Sequence, residues 1–234
     1  MPITKVKSTN FGTVHVRRKR GVKNMRLRVD HTGTLHVTLP WLVPQALGLA
    51  FAEKHKEWVQ LQQRDLQAAI RNGSVINNTY NVELKKAETT RMTAKLKGDT
   101  IHITLPQETN VESEEIQEKL RKKIVTVIKV EAQETLGPLL YRLAKAYRYE
   151  FKDVQIKTLK SRWGSCSSDK VITLNTFAVQ LPDYLQEYVV LHELTHLNHM
   201  HHGHGFWDEL IAVCPDAKRY RKDLKMYQPT ISIA

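Results

Sequence analysis

The sequence predicts an α+β protein: a β-rich N-terminal half with one long helix, followed by a mixed helix-and-sheet half built around a metal-binding helix. Three observations carry this. Apolar and polar residues alternate in GTVHVRRKR, NMRLRV and TLHVTLP, as they do in half-buried strands. From about residue 111 the apolar residues recur at helical spacing. Residues 192–207 read HELTHLNHMHHGHGFW and open on H-E-x-x-H. At 234 residues the chain holds one large or two small domains with a real core.

Taken in order, residues 12–39 read as strands, with DHTG (30–33) as the hairpin turn into TLHVTLP. Pro44 opens a single long helix through about Arg71. Leu47, Phe51, Trp58, Leu61 and Ile70 are its apolar positions, and Asn72-Gly73 ends it. Strands return over 74–105, where KGDTIHITLP echoes TGTLHVTLP. Two hairpins obeying the same turn rules account for that echo without an internal repeat. The acidic run VESEEIQEKL suits a helix N-terminus and carries Ile116, Leu120, Ile124 and Ile128 inward. Gly137-Pro138 should break or kink this helix. A strand at 151–157, the SRWGSCSS loop at 161–168, a strand at 170–177, the metal helix and terminal helices through about Met226 complete the chain. The domains expected are 1–110 and 111–234. No low-complexity linker separates them, so the halves should pack together.

The chemistry lies in the 192–207 segment. On a helix, positions i and i+4 share a face about 6 Å apart along the axis. His192 and His196 can therefore converge on one metal ion, and Glu193 can reach a water bound to it. Zinc is the default ion, because imidazole suits it and its oxidation state is fixed. Six of the 11 His fall between 192 and 204, so an adventitious His-rich binder is the competing reading. The breaker-free run PDYLQEYVVLHELTHL argues for a built site, with Leu185, Val189 and Leu194 spaced for a half-buried helix and Pro182 in its first turn.

A catalytic zinc needs a third protein ligand and an open position. His199, His201, His202 and His204 are the candidates. His199 lies roughly 10 Å from His192 along a straight helix, too far to share an ion with it. The third ligand should follow a break in the helix, which Gly203 and Gly205 can supply through a positive φ. His202, six residues past His196, is best placed, with His201 and His204 the alternatives.

Composition sets outer bounds. A formal net charge of +12 suits an anionic partner or ordinary solubility equally well. Two cysteines, Cys166 and Cys214, give no disulfide framework. MPITKVKSTN lacks the apolar core of a signal peptide, and WLVPQALGLAFA (41–52) is too short to span a bilayer. The expectation is a reduced, cytoplasmic protein without a membrane partner.

HELTHLNHMHHGHGFW, together with SRWGSCSS (161–168) and ITLNTF (172–177), resembles the YgjP-like (DUF45) metallopeptidase family, a relative of the WLM and SprT-like zinc peptidases. The N-terminal half fits as well, with a basic arm, a hairpin ending in Leu-Pro and a helix carrying Glu57-Trp58. The chain departs from the family pattern at His201, commonly Asn, and at Gly203, commonly Ser. The resemblance implies a zincin-like catalytic domain with zinc on His192, His196 and His202 and Glu193 as general base. The implied reaction is peptide-bond hydrolysis by a Glu-activated, zinc-bound water. It also keeps two alternatives in view, a metal-dependent nucleoside triphosphate (UTP) pyrophosphohydrolase and a nucleic-acid-associated SprT-like protease.

Other residues invite weaker assignments. Arg162 is a candidate for binding substrate or a developing oxyanion, against a structural loop packed by Trp163. Asn175 is a candidate for hydrogen-bonding a substrate backbone, against capping a turn. Asp208 or Glu209 could orient a ligating imidazole, against a solvated helical turn. Phe206 and Trp207 should anchor the helix after the third His, and Cys166 reads as a small buried thiol. The basic runs RRKR (17–20) and KRYRKDLK (218–225) read as solvated faces in preference to a nucleic-acid surface, since neither has the aromatic interleaving of a stacking platform or a groove-reading motif.

Overall fold

A computed structural model describes residues 3–29 and 33–233, and for 64–67 the backbone alone. Apart from Gly33, the turn expected at DHTG lies outside the described residues. The chain forms two compact units, Met1–Ala69 with Ile231–Ala234, and Ile70–Thr230. The first division thus falls at Ala69–Ile70, whereas the sequence places it near 110. The strands between these points join the later helices, because the strand Thr93–Lys97 packs against the long helix Glu114–Tyr147.

In the first unit, β1 (Thr4–Ser8), β2 (Gly12–Lys19), β3 (Arg26–Val29) and β4 (Leu35–Pro40) form one sheet in the order β1-β2-β4-β3. Period-2 alternation sends Val14, Val16, Leu35, Val37 and Leu39 into a core with Phe11, Ala52 and Val59. The single helix expected over 44–71 is two, α1 (Gln45–Lys54) and α2 (Lys56–Gln67). The cause is His55. Its ring Nδ1 takes the Phe51 carbonyl at 2.9 Å, the acceptor its own backbone N–H would use in a continuing helix. That N–H turns to Ala52 instead, at 3.0 Å.

In the second unit, β5 (Val75–Ile76), β6 (Tyr80–Ala87), β7 (Thr93–Lys97) and β8 (Thr100–Pro106) form a sheet in the order β5-β6-β8-β7. Its plan is that of the first sheet. β2 and β4 run parallel, as do β6 and β8, and each flanking strand is antiparallel. The registers also correspond. Val14, His15 and Val16 face Leu35, His36 and Val37, while Val82, Glu83 and Leu84 face Ile101, His102 and Ile103. The echo of TGTLHVTLP in KGDTIHITLP is therefore a repeat of a whole four-stranded module. Shared hairpin rules do not explain it, because the central pair is a parallel crossover.

Helix α3 (Glu114–Tyr147) starts at Ser113, whose Oγ accepts the Ile116 N–H at 3.4 Å, with Glu114 and Glu115 in its first turn. It runs through Gly137-Pro138 as one helix, so the break, the first of the two expected outcomes, does not occur. Leu136 and Leu140, fully buried on either side of the proline, hold both segments to the core. A three-stranded sheet follows in the order β10-β11-β9, from β9 (Asp153–Lys157), β10 (Gly164–Cys166) and β11 (Val171–Asn175). SRWGSCSS is thus part loop and part edge strand. A 3-10 turn (Thr176–Gln180) leads to α4 (Asp183–Thr195), α5 (His204–Val213) and α6 (Ala217–Asp223). Helix α3 packs on the 3-10 turn, α4 and β9, so the site-bearing helix rests on the longest element of the chain. No helix among the described residues is long and apolar enough to cross a membrane.

Candidate metal centre

Helix α4 buries Leu185, Val189 and Leu194 in the core, which leaves His192 half-buried on its other flank. The helix ends at Thr195, with His196 as its C-cap, and does not continue towards Gly203 as expected. Tight turns close it. Leu197 N–H donates to Leu194 O at 3.0 Å and Asn198 N–H to Thr195 O at 3.2 Å. The expected glycine break is a correction too. Gly203 has φ −78°, and Gly205 lies inside α5. Gly205 is needed for closeness, since a Cβ there would stand 2.9 Å from the His199 ring.

The early stop lets the chain double back and bring His202 against the helix. Ring centroids lie 4.9 Å apart for His192 and His196, 5.0 Å for His192 and His202, and 4.7 Å for His196 and His202. One nitrogen from each lies within 4.8 Å of the others. The Nε2 atoms of His192 and His202 are 3.1 Å apart, close to the spacing of about 3.3 Å for two nitrogens on one tetrahedral zinc. Phe206, fully buried, lies 5.0, 4.6 and 4.7 Å from the rings of His192, His196 and His202. It packs against all three imidazoles at once.

The donor chemistry fits a cation. His196 Nδ1–H donates to the His199 carbonyl at 2.9 Å, which leaves the Nε2 lone pair available. Burial first, then the neighbouring imidazoles and Arg221, push His192 down to about 3. Burial, His196 and Arg221 likewise lower His202. Neutral imidazoles are what a metal requires.

His199 turns away from the trio. Its Nε2 meets Glu209 Oε2 at 2.9 Å, and the other oxygen of Glu209 accepts Asn198 Nδ2–H at 2.9 Å. Glu209 therefore acts on the His196 imidazole only indirectly, by fixing the residue whose carbonyl holds it. Asp208, His201 and His204 are exposed, and neither histidine joins the cluster.

Glu193 is 5% exposed, and its Oε2 has no hydrogen-bond partner among the described residues. Burial pushes its carboxyl up to about 8 against the opposing pull of Arg162. Gly164 makes room for it. A Cβ at Gly164 would lie 2.6 Å from Glu193 Cγ and 2.7 Å from Oε1. The glycine in SRWGSCSS serves close approach, and its φ is not in the left-handed region.

These groups line an open cavity of about 490 Å³, which Arg162, the β10 residues, Tyr188 and Arg221 also face. Arg162 sits exposed on the rim. Cys166 is half-buried in the lining, with its thiol pushed up by burial and by Glu193, so the expectation of a buried thiol is corrected. Asn175 is also corrected. It is fully buried, and its Nδ2–H groups donate to Leu159 O at 2.8 Å and Arg162 O at 2.7 Å, while Oδ1 accepts Phe177 N–H at 3.1 Å. No polar atom remains for a substrate, and the residue instead holds the loop that carries Arg162.

Tyr188 and Arg221 are lining residues that sequence reasoning missed. Tyr188 lies one helical turn before His192, a spacing that could have revealed it. Arg221 sits in the run KRYRKDLK, where no local pattern separates it from solvated neighbours.

Comparison with known proteins gives a match to the YgjP-like, metallopeptidase domain model over residues 23–227. No curated protein matches the chain. Among solved structures, the metallopeptidase zymogen of Pyrococcus abyssi abylysin is 26% identical, over 39% of this chain and 93% of its own, with a TM-score of 0.36. The metallopeptidase zymogen of Methanocaldococcus jannaschii jannalysin is 24% identical, over 39% of this chain and 97% of its own, with a TM-score of 0.33.

Proposed function

Because this chain belongs to the YgjP-like metallopeptidase domain family, and is a metal-dependent hydrolase, we propose that it is a zinc peptidase with His192, His196 and His202 as ligands and Glu193 as general base. The observation that carries this reading is a buried carboxyl group, its Oε2 without a hydrogen-bond partner among the described residues, beside three imidazoles that face one another. Bound zinc supplies Lewis acidity, which polarises a carbonyl and acidifies water.

The chain's own residues supply the rest. Glu193 accepts the proton of the attacking water at its carboxylate and returns it to the leaving amine. Burial disfavours the charged carboxylate, which makes it a stronger proton acceptor than a solvated one. Arg162 brings positive charge to the oxyanion that develops on the peptide carbonyl. β10 is an edge strand whose residues line the cavity, so its backbone can pair with an extended polypeptide. Phe206 and Tyr188 keep the imidazoles in an apolar seat. The nucleotide and nucleic-acid alternatives draw no support from the family match.

The test is metal analysis with a turnover assay on unfolded polypeptide. Glu193→Gln retains about the wild-type metal content and loses nearly all turnover. Near-normal activity in that variant rejects the role of Glu193.

A further inference from the structure

Arg221 reaches the cavity from α6, outside the histidine motif. It faces the same space as Arg162, Glu193 and the three imidazoles. Its guanidinium carbon lies 5.1 Å from the centre of the Trp207 ring. Trp207 is in turn 5.5 Å from Phe206, the residue beneath the imidazoles. The cation is thus seated on one ring of an edge-to-face aromatic pair that adjoins the imidazoles. Its charge adds to burial in lowering His192 and His202, and opposes the rise that burial gives Tyr188.

Among the described residues, no carboxylate lies within ion-pair distance of Arg221. Arg219, two residues earlier on the same helix, pairs with Asp216 at 3.6 Å. Among the described residues Glu193 is the one acidic residue lining the cavity, and it is buried. A space bounded by two guanidinium groups and imidazoles attracts anions. A guanidinium held over an aromatic face keeps its N–H edge for a planar, bidentate acceptor, which a carboxylate provides.

The inference rests on the peptidase reading and deepens it. We propose that Arg221 binds a substrate carboxylate, so that the enzyme selects polypeptides with an acidic group beside the scissile bond. That carboxylate belongs to an acidic side chain or to a chain terminus.

The test uses the zinc-loaded Glu193→Gln chain and a peptide series followed by fluorescence anisotropy. A single Glu replaces Gln at each position in turn, and every peptide is made with a free and with an amidated C-terminus. Glu at one position, or the free terminus, is expected to tighten binding about tenfold, the scale of a charge-assisted pair. Which of the two does so identifies the source of the carboxylate. Arg221→Ala and Arg221→Gln abolish the preference, Arg221→Lys restores part of it, and Lys222→Ala leaves it unchanged. In the active chain, Arg221→Gln raises KM for acidic peptides and spares kcat.

Equal binding of acidic and neutral peptides, binding of neither, or a preference that survives both Arg221→Ala and Arg221→Gln overturns the proposal. Cleavage without an acidic preference sinks the anchor and leaves the peptidase reading intact. An acidic preference in binding with no cleavage by the active chain does the reverse.

Discussion

Gly164→Ala probes how Glu193 is held. The φ of Gly164 lies outside the left-handed region, so alanine adds no backbone strain. It adds one methyl carbon, 2.6 Å from Glu193 Cγ, 2.7 Å from Oε1 and 2.8 Å from Cδ. Ordinary contact begins at 3.4 Å, so the carboxylate must retreat by about 0.8 Å. Glu193 is almost fully buried and has little room to do so. Overpacking of this kind costs about 1–3 kcal/mol, and each kcal/mol lowers Tm by about 2–4 °C in a protein of this size. Displacing a catalytic group by about 1 Å costs roughly 100-fold in rate. The imidazoles are untouched, so bound metal should match wild type. The assays are kcat/KM on an unfolded polypeptide, metal content by elemental analysis and Tm by calorimetry. A kcat/KM within about twofold of wild type would refute the argument that the carboxylate's position sets the rate.

Three further outcomes follow from the same geometry. Because burial raises Glu193 to about 8, its contribution to metal-free stability is fully present below its unfolded value near 4.5. That contribution is lost as pH rises towards 8, so the Tm difference between metal-free wild type and Glu193→Gln should change across this window, and a flat difference rejects the shift. Asn175→Ala leaves the carbonyls of Leu159 and Arg162 without their donors and should cost about 3 kcal/mol, read as a lower urea midpoint with unchanged slope. Glu209→Ala frees His199 and with it the carbonyl that fixes His196. Zinc affinity measured by chelator competition should fall about tenfold, and an unchanged affinity would show that the loop holds its shape unaided.

Period-2 alternation revealed the first sheet, because Val14, Val16, Leu35 and Val37 face a core on one side only. Helical spacing brought His192, Glu193 and His196 to notice, because residues one turn apart share a face whatever the surrounding fold. The break at His55 was hidden, since it comes from a ring taking a backbone acceptor and not from a helix-breaking residue. The continuity of α3 through Pro138 was hidden for the opposite reason: burial of Leu136 and Leu140 outweighs a local preference. Asn175 looked free because its partners, at 159 and 162, meet it only once β9 and β11 are aligned in parallel. Arg221 became visible only when α6 folded back over Trp207.

The matching registers of the two four-stranded sheets create an ambiguity during refolding. LHVTLP of β4 and IHITLP of β8 share His, Thr, Leu and Pro at corresponding places, so each fits the parallel slot of the other. Correct pairing joins Val16 to Val37, whereas the crossed version would join Val16 to Ile103, closing a segment about four times as long. Chain entropy penalises that longer closure by only about 1 kcal/mol. Dilution favours the native choice within one molecule. At high concentration the strand of a neighbouring molecule competes on nearly equal terms, and exchanged, entangled aggregates are the cost of carrying one β design twice.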